Sequence, residues 1–104
     1  MSQRVYAATI KDSDLSEGKM RAIRVKGKPV LLVKVGGQIY AVSNLCPHEG
    51  CSFQTGILTD YIVMCPCHGW KYDIRNGQPQ QNPPTLLATY PTKIQNGKIY
   101  VGMG

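Results

Sequence analysis

Short runs of β-branched and aromatic residues, each cut off by glycine, proline or a polar pair, recur along the whole chain. Val5 to Ile10 is the first, and Ser16-Glu17-Gly18 after it reads as a turn. Met20 to Val25, Val30 to Val35 and Gln38 to Val42 follow, separated by Lys26-Gly27-Lys28-Pro29 and by Gly36-Gly37. Such punctuation predicts a meander of antiparallel strands. Further on, Gly56 to Leu58 and Tyr61 to Met64 flank Thr59-Asp60 as a hairpin, Trp70 to Ile74 forms another strand, and Asn76-Gly77 turns the chain into a proline-rich loop over Gln78 to Thr85. Leu87 to Lys93 and Lys98 to Val101 close around Asn96-Gly97, a strong hairpin signal. No segment of useful length carries the 3.6-residue period of a helix. The expected fold is all-β.

A length of 104 residues bounds the chain to one domain, 1–104. No repeat, low-complexity tract or linker divides it. Met1 to Leu15 has no long apolar run and carries Arg4, Lys11, Asp12 and Asp14, so it reads as neither signal peptide nor membrane anchor. A cytoplasmic location is expected.

The formal charge of +6 is unevenly spread. Lys19, Arg21, Arg24, Lys26, Lys28 and Lys34 crowd into the early meander, whereas Val35 to Trp70 holds no Lys or Arg and only two acids, Glu49 and Asp60. A basic body with a weakly charged region beyond it favours brief docking to acidic partners. Nucleic-acid binding is not expected, because no recognition motif or row of exposed aromatics accompanies the basic stretch.

All the cysteines and histidines fall between residues 46 and 69: Cys46-Pro-His48-Glu-Gly-Cys51, then Cys65-Pro-Cys67-His68-Gly69. Each arm offers soft sulfur beside imidazole nitrogen, and the two arms read as halves of one metal site, for which iron and zinc are the candidates. Zinc sites usually pair like with like, as Cys-x(2 to 4)-Cys and His-x(3 to 5)-His. Here each arm mixes the two types at tighter spacing, which weighs towards iron. A structural zinc module would be colourless.

The Cys-x-His and Cys-x-x-His boxes resemble those of the Rieske family, whose 2Fe-2S cluster has two Cys on one iron and two His on the other. The resemblance implies Cys46 and Cys65 as thiolate ligands and His48 and His68 as imidazole ligands, with Gly50 and Gly69 where the loop backbone bends close to the cluster. Cys51 and Cys67 match the disulfide that straps the two loops in the family's high-potential branch. Pro83-Pro84 corresponds to the third loop that covers the cluster. The fold so implied is a Rieske-like antiparallel sandwich or open barrel, with a cluster-binding subdomain of two hairpin loops at about 44–85. Where high-potential members have a serine after the second box's glycine this chain has Trp70, yet it keeps their tyrosine as Tyr72. A midpoint potential between the family's extremes is therefore expected, within a class range of roughly −150 to +300 mV.

With two protein ligands and bridging sulfides on each iron, such a site passes electrons but leaves no position for substrate. The resemblance thus implies a soluble, monomeric one-electron carrier rather than an enzyme, a Rieske-type ferredoxin between a flavin reductase and a terminal oxygenase. The alternative is the cluster-bearing subunit or excised domain of a larger oxidoreductase, such as a nitrite-reductase small subunit or a quinol-oxidising complex.

Overall fold

The run Val30-Leu31-Leu32-Val33 decides the architecture. Alternate residues of a strand point to opposite faces, so a strand apolar at every position must be covered on both sides. The computed structural model describes residues 5–45, 51–67, 69–80 and 86–103. It contains β1 (Val5–Lys11), β2 (Met20–Val25), β3 (Lys28–Val35), β4 (Gln38–Ser43), β5 (Ile57–Thr59), β6 (Ile62–Met64), β7 (Lys71–Asp73), β8 (Thr89–Tyr90), β9 (Thr92–Gln95) and β10 (Lys98–Met103). The run lies in β3, and its four side chains are fully buried.

Three antiparallel sheets result, ordered β2-β3-β4-β8, β1-β10-β9 and β5-β6-β7. Val30 and Leu32 join Leu15, Val25, Ile39, Ala41, Ile99 and Val101 in a core beneath the β1-β10-β9 sheet. Leu31 and Val33 join Val42, Phe53, Val63, Cys65, Tyr72, Ile74 and Leu87 in a second core beneath the β5-β6-β7 sheet. The four-stranded sheet is thus a central layer with a scaffold on one face and the cysteine-bearing hairpins on the other, as expected of an all-β sandwich carrying a site subdomain.

Three details differ from the sequence expectation. The β5–β6 turn uses Asp60-Tyr61 rather than Thr59-Asp60, since Thr59 pairs with Ile62 and Asp60 takes the positive φ of 53° that Asp tolerates. The expected strand Leu87 to Lys93 is broken. Thr89–Tyr90 pairs with β4 and Thr92–Gln95 with β10, and the chain changes sheets at Pro91, which has no N–H to give a ladder. Asp12–Asp14 forms a short 3₁₀ turn that the sequence pattern did not announce.

The molecule has two distinct ends. At one, the β2–β3 turn lies beside the exit of β4, where the Asn44 N–H donates to Pro29 O at 3.1 Å and the Ser43 N–H to Ala88 O at 2.9 Å. Leu45, which leads into the first box, lies at this end, and the Cys51–Cys67 bond ties the close of that box to the second. The opposite end holds the Gly36-Gly37 turn, Glu17, the 3₁₀ turn and Tyr61, whose hydroxyl lies near Gly36.

Candidate metal centre

Each box occupies a connection between strands, the first between β4 and β5 and the second between β6 and β7. The second is drawn into a closed turn: the Cys65 N–H donates to Trp70 O at 2.7 Å and the Gly69 N–H donates back to Cys65 O at 3.0 Å. Gly69 makes this possible at φ 72°, a region L side chains seldom adopt. Cys65, at the end of β6, is 1 % exposed and belongs to the same core as Phe53 and Tyr72.

Cys51 and Cys67 form a disulfide, 16 residues apart in sequence, so the end of the first box is covalently strapped to the middle of the second. The Sγ atoms of Cys51, Cys65 and Cys67 lie within 4.8 Å of one another. Two of these sulfurs are spent on the bond to each other and cannot serve as thiolates. Cys65 is therefore the sulfur donor that the described residues offer, and its burial among apolar side chains suits a cluster ligand more than a surface zinc.

Cys46, His48, Gly50, His68, Pro83 and Pro84 lie outside the described residues. Trp70 is half-buried against the site-side core and Tyr72 is fully buried in β7, with its ring edge-on to Phe53 at 5.9 Å. The chain on either side of the third loop is anchored. Gln80 N–H donates to Lys71 O and Leu87 N–H to Gly77 O. Gly77 has a positive φ, and a Cβ there would run into the Leu87 carbonyl.

Asn44 is a residue the sequence reading passed over. It is 8 % exposed, and its amide spans the base of the first box: Oδ1 accepts from the Phe53 N–H at 3.0 Å and Nδ2 donates to Ser52 Oγ at 3.0 Å. A single buried amide leaves no periodic trace in a sequence; its place just before the first box was the available signal. Arg75 was missed as well. It grips buried Asp73 through Nε and Nη2 at 3.0 and 2.7 Å and stacks on the Tyr61 ring at 4.2 Å, locking the exit of β7 to the β5–β6 turn. Those hydrogen bonds hold the Asp73 carboxyl below the usual carboxylate range and push Arg75 up. At the far end, the N–H groups of Gly37 and Gly36 hold Glu17 low.

The family model described as Rieske [2Fe-2S] domain matches residues 5–91. The ferredoxin component of the naphthalene 1,2-dioxygenase/salicylate 5-hydroxylase systems of Ralstonia sp is 35 % identical over 91 residues, covering 86 % of this chain and 88 % of that protein. Among solved structures, the ferredoxin of carbazole 1,9a-dioxygenase from Nocardioides aromaticivorans IC177 matches with a TM-score of 0.86 and 28 % identity over 92 % of this chain and 95 % of that one. A chain from a complex of reduced oxygenase and oxidized ferredoxin in carbazole 1,9a-dioxygenase matches with a TM-score of 0.84 and 29 % identity, over 91 % of this chain and 99 % of that one. The donor chemistry and these likenesses agree, and the chain belongs to the Rieske [2Fe-2S] domain family, whose cofactor is a 2Fe-2S cluster.

Proposed function

We infer that this chain is a one-electron carrier, a ferredoxin that takes an electron from a flavin reductase and delivers it to a terminal oxygenase. The observation that carries this reading is the Cys51–Cys67 bond, which ties the residue closing the first box to the second, beside Cys65 buried at the closed turn. The roles of the relatives support it, since they are ferredoxin components of oxygenase systems.

On this reading Cys46 and Cys65 would hold one iron and His48 and His68 the other, and the bound cluster would supply a one-electron couple. Gly50 and Gly69 would give the loops room to bend, and Pro83-Pro84 would limit the approach of water. Tyr72, buried in the core that Cys65 shares, is assigned the donor of a hydrogen bond to a ligand sulfur, which favours the electron-rich reduced state. Trp70 stands where a serine would add a second donor. No coordination position remains for a substrate, so the chain performs no catalysis by itself. One domain, acting as a cytoplasmic monomer in transient complexes, fits this role, and among the described residues no helix is long and apolar enough to cross a membrane.

A redox titration followed by visible absorbance tests the reading. A reversible one-electron wave between the family's extremes is expected, and Tyr72→Phe should lower its midpoint. Purified holoprotein without iron, or a spectrum unaltered by His48→Ala with His68→Ala, would overturn the assignment.

A further inference from the structure

Cations that the sequence gathers into one stretch are parted by the fold. Lys19 and Lys34 lie at the far end, where the Gly18 N–H donates to Lys34 O and Lys34 pairs with Asp12 at 3.1 Å. Arg24, Lys26 and Lys28 instead surround the β2–β3 turn at the site end, all three exposed, with Arg24 Nη1 donating to Gly27 O at 2.9 Å. The acids are distributed the other way. Asp12, Asp14 and Glu17 sit at the far end, and Asp60 is in the turn that lies there too. Lys11, Lys19, Lys34 and Lys98 share that end with them, and Arg75, stacked on Tyr61 there, is paired with Asp73, so among the described residues acids and cations balance and the far end is close to neutral.

The site end has no such balance. Among the described residues it carries no exposed carboxylate to set against Arg24, Lys26 and Lys28, and the first box contributes by sequence the single acid Glu49, outside the described residues. Part of the basic body, the β2–β3 turn, therefore reaches the site end. Beside the β2–β3 turn lies an open cleft of about 400 Å³ lined by Ala22, Ile23, Arg24, Pro29, Asn44 and Leu45. Leu45 is 46 % exposed and directly precedes Cys46; Leu86, 60 % exposed, follows the third loop at the same end.

We propose that this basic-lipped cleft is the docking face for a redox partner whose electron port is rimmed by carboxylates, with Leu45 and Leu86 making the short-range apolar contact. The proposal rests on the electron-carrier reading and adds to it the face used and the charge of the partner. Charges clustered beside the exchange point raise the local concentration of an oppositely charged partner and orient it on approach. At about 0.1 M salt the reach of such a field is roughly 10 Å, so cations at the site end steer and those at the far end do not.

Two probes of known charge test this on the holoprotein. Hexacyanochromate(III), an anion that is inert to reduction under these conditions and paramagnetic, should broaden the amide NMR signals of residues 24–29 and Leu45 first; broadening centred on the far end, or uniform broadening, would overturn the proposal. In stopped-flow oxidation of the reduced protein by ferricyanide, one electron leaves the protein and ferrocyanide forms. Lys26→Glu with Lys28→Glu should slow that reaction by about threefold or more at low ionic strength and speed oxidation by cationic tris(phenanthroline)cobalt(III), with both effects fading at high salt. Lys11→Glu with Lys98→Glu, the same change in net charge at the far end, should alter neither rate by as much. Equal effects from the two pairs would leave only net charge at work and sink the docking face. A protein that neither oxidant takes through a reversible cycle would instead sink the electron-carrier reading, while the NMR map would still report on the cleft.

Discussion

On the scaffold face of the central sheet, β1 and β10 run seven and six residues and cover a core whose buried side chains are all aliphatic. On the site face, β5, β6 and β7 run three residues each, and their core mixes Phe53 and Tyr72 with a cysteine. Nearby stand the two buried polar side chains found among the described residues, Asn44 and Asp73. Long alternating strands close a core through apolar burial and ladder hydrogen bonds, and need little else. Three-residue strands expose too much backbone and bury too little area to hold loops in place. The site face compensates with individual fastenings: the Cys51–Cys67 bond, the Asn44 amide, and the Asp73–Arg75–Tyr61 stack.

Neighbouring residues of β3 give the largest expected effect. Leu31→Ala and Leu32→Ala remove the same atoms from opposite faces, and each should cost about 2–5 kcal/mol in denaturant unfolding. Leu31→Ala alone should also alter the visible spectrum of the holoprotein, because Leu31 shares a core with Cys65. If Leu32→Ala alters it as much, the two faces are not separate units.

Removing the strap comes next. Replacing Cys51 and Cys67 by Ser frees a loop of about 15 residues and should lower stability by about 3 kcal/mol, visible as a lower denaturation midpoint that matches wild type under reducing conditions. An unchanged midpoint would mean that the short strands hold the boxes unaided. Asn44→Ala should cost about 1–3 kcal/mol by leaving the Phe53 N–H without its acceptor, and should hasten bleaching of the visible absorbance. Asn44→Asp, which keeps the acceptor oxygen, should recover part of the loss.

The smallest effect is acid sensitivity. Asp73 has its pKa lowered by Arg75, so its contribution is fully present above the unfolded carboxylate value of about 3.9 and disappears as the pH falls through the lower folded value. Arg75→Ala should therefore flatten part of the stability loss on acidification below about pH 4. Because the Arg75 side chain is half exposed, the change should be slight; an acid profile identical to wild type would remove the pair from the site's fastenings.

The strand order along the chain was legible because alternation and turn residues are local. The turns at Gly36-Gly37 and Asn96-Gly97 and the strands Val5 to Val42 appear where the pattern put them. Leu87 to Lys93 was misread as one strand across Pro91, because the local pattern carries no record of which sheet each half joins. The disulfide partner of Cys51 was legible only through family likeness, and the structure supplies the geometry that joins it to Cys67.

By itself the sequence determined an all-β chain and the place of the two Cys/His boxes, since strand period, turn chemistry and ligand spacing are properties of neighbouring residues. Tertiary structure alone decided that β3 is covered on both faces, that Asn44 and Asp73 are buried and bonded, and that Arg24, Lys26 and Lys28 lie at the site end while Lys19 and Lys34 do not. Those outcomes depend on which distant strands pair and in which direction, because antiparallel pairing carries residues a few positions apart to opposite ends of the molecule.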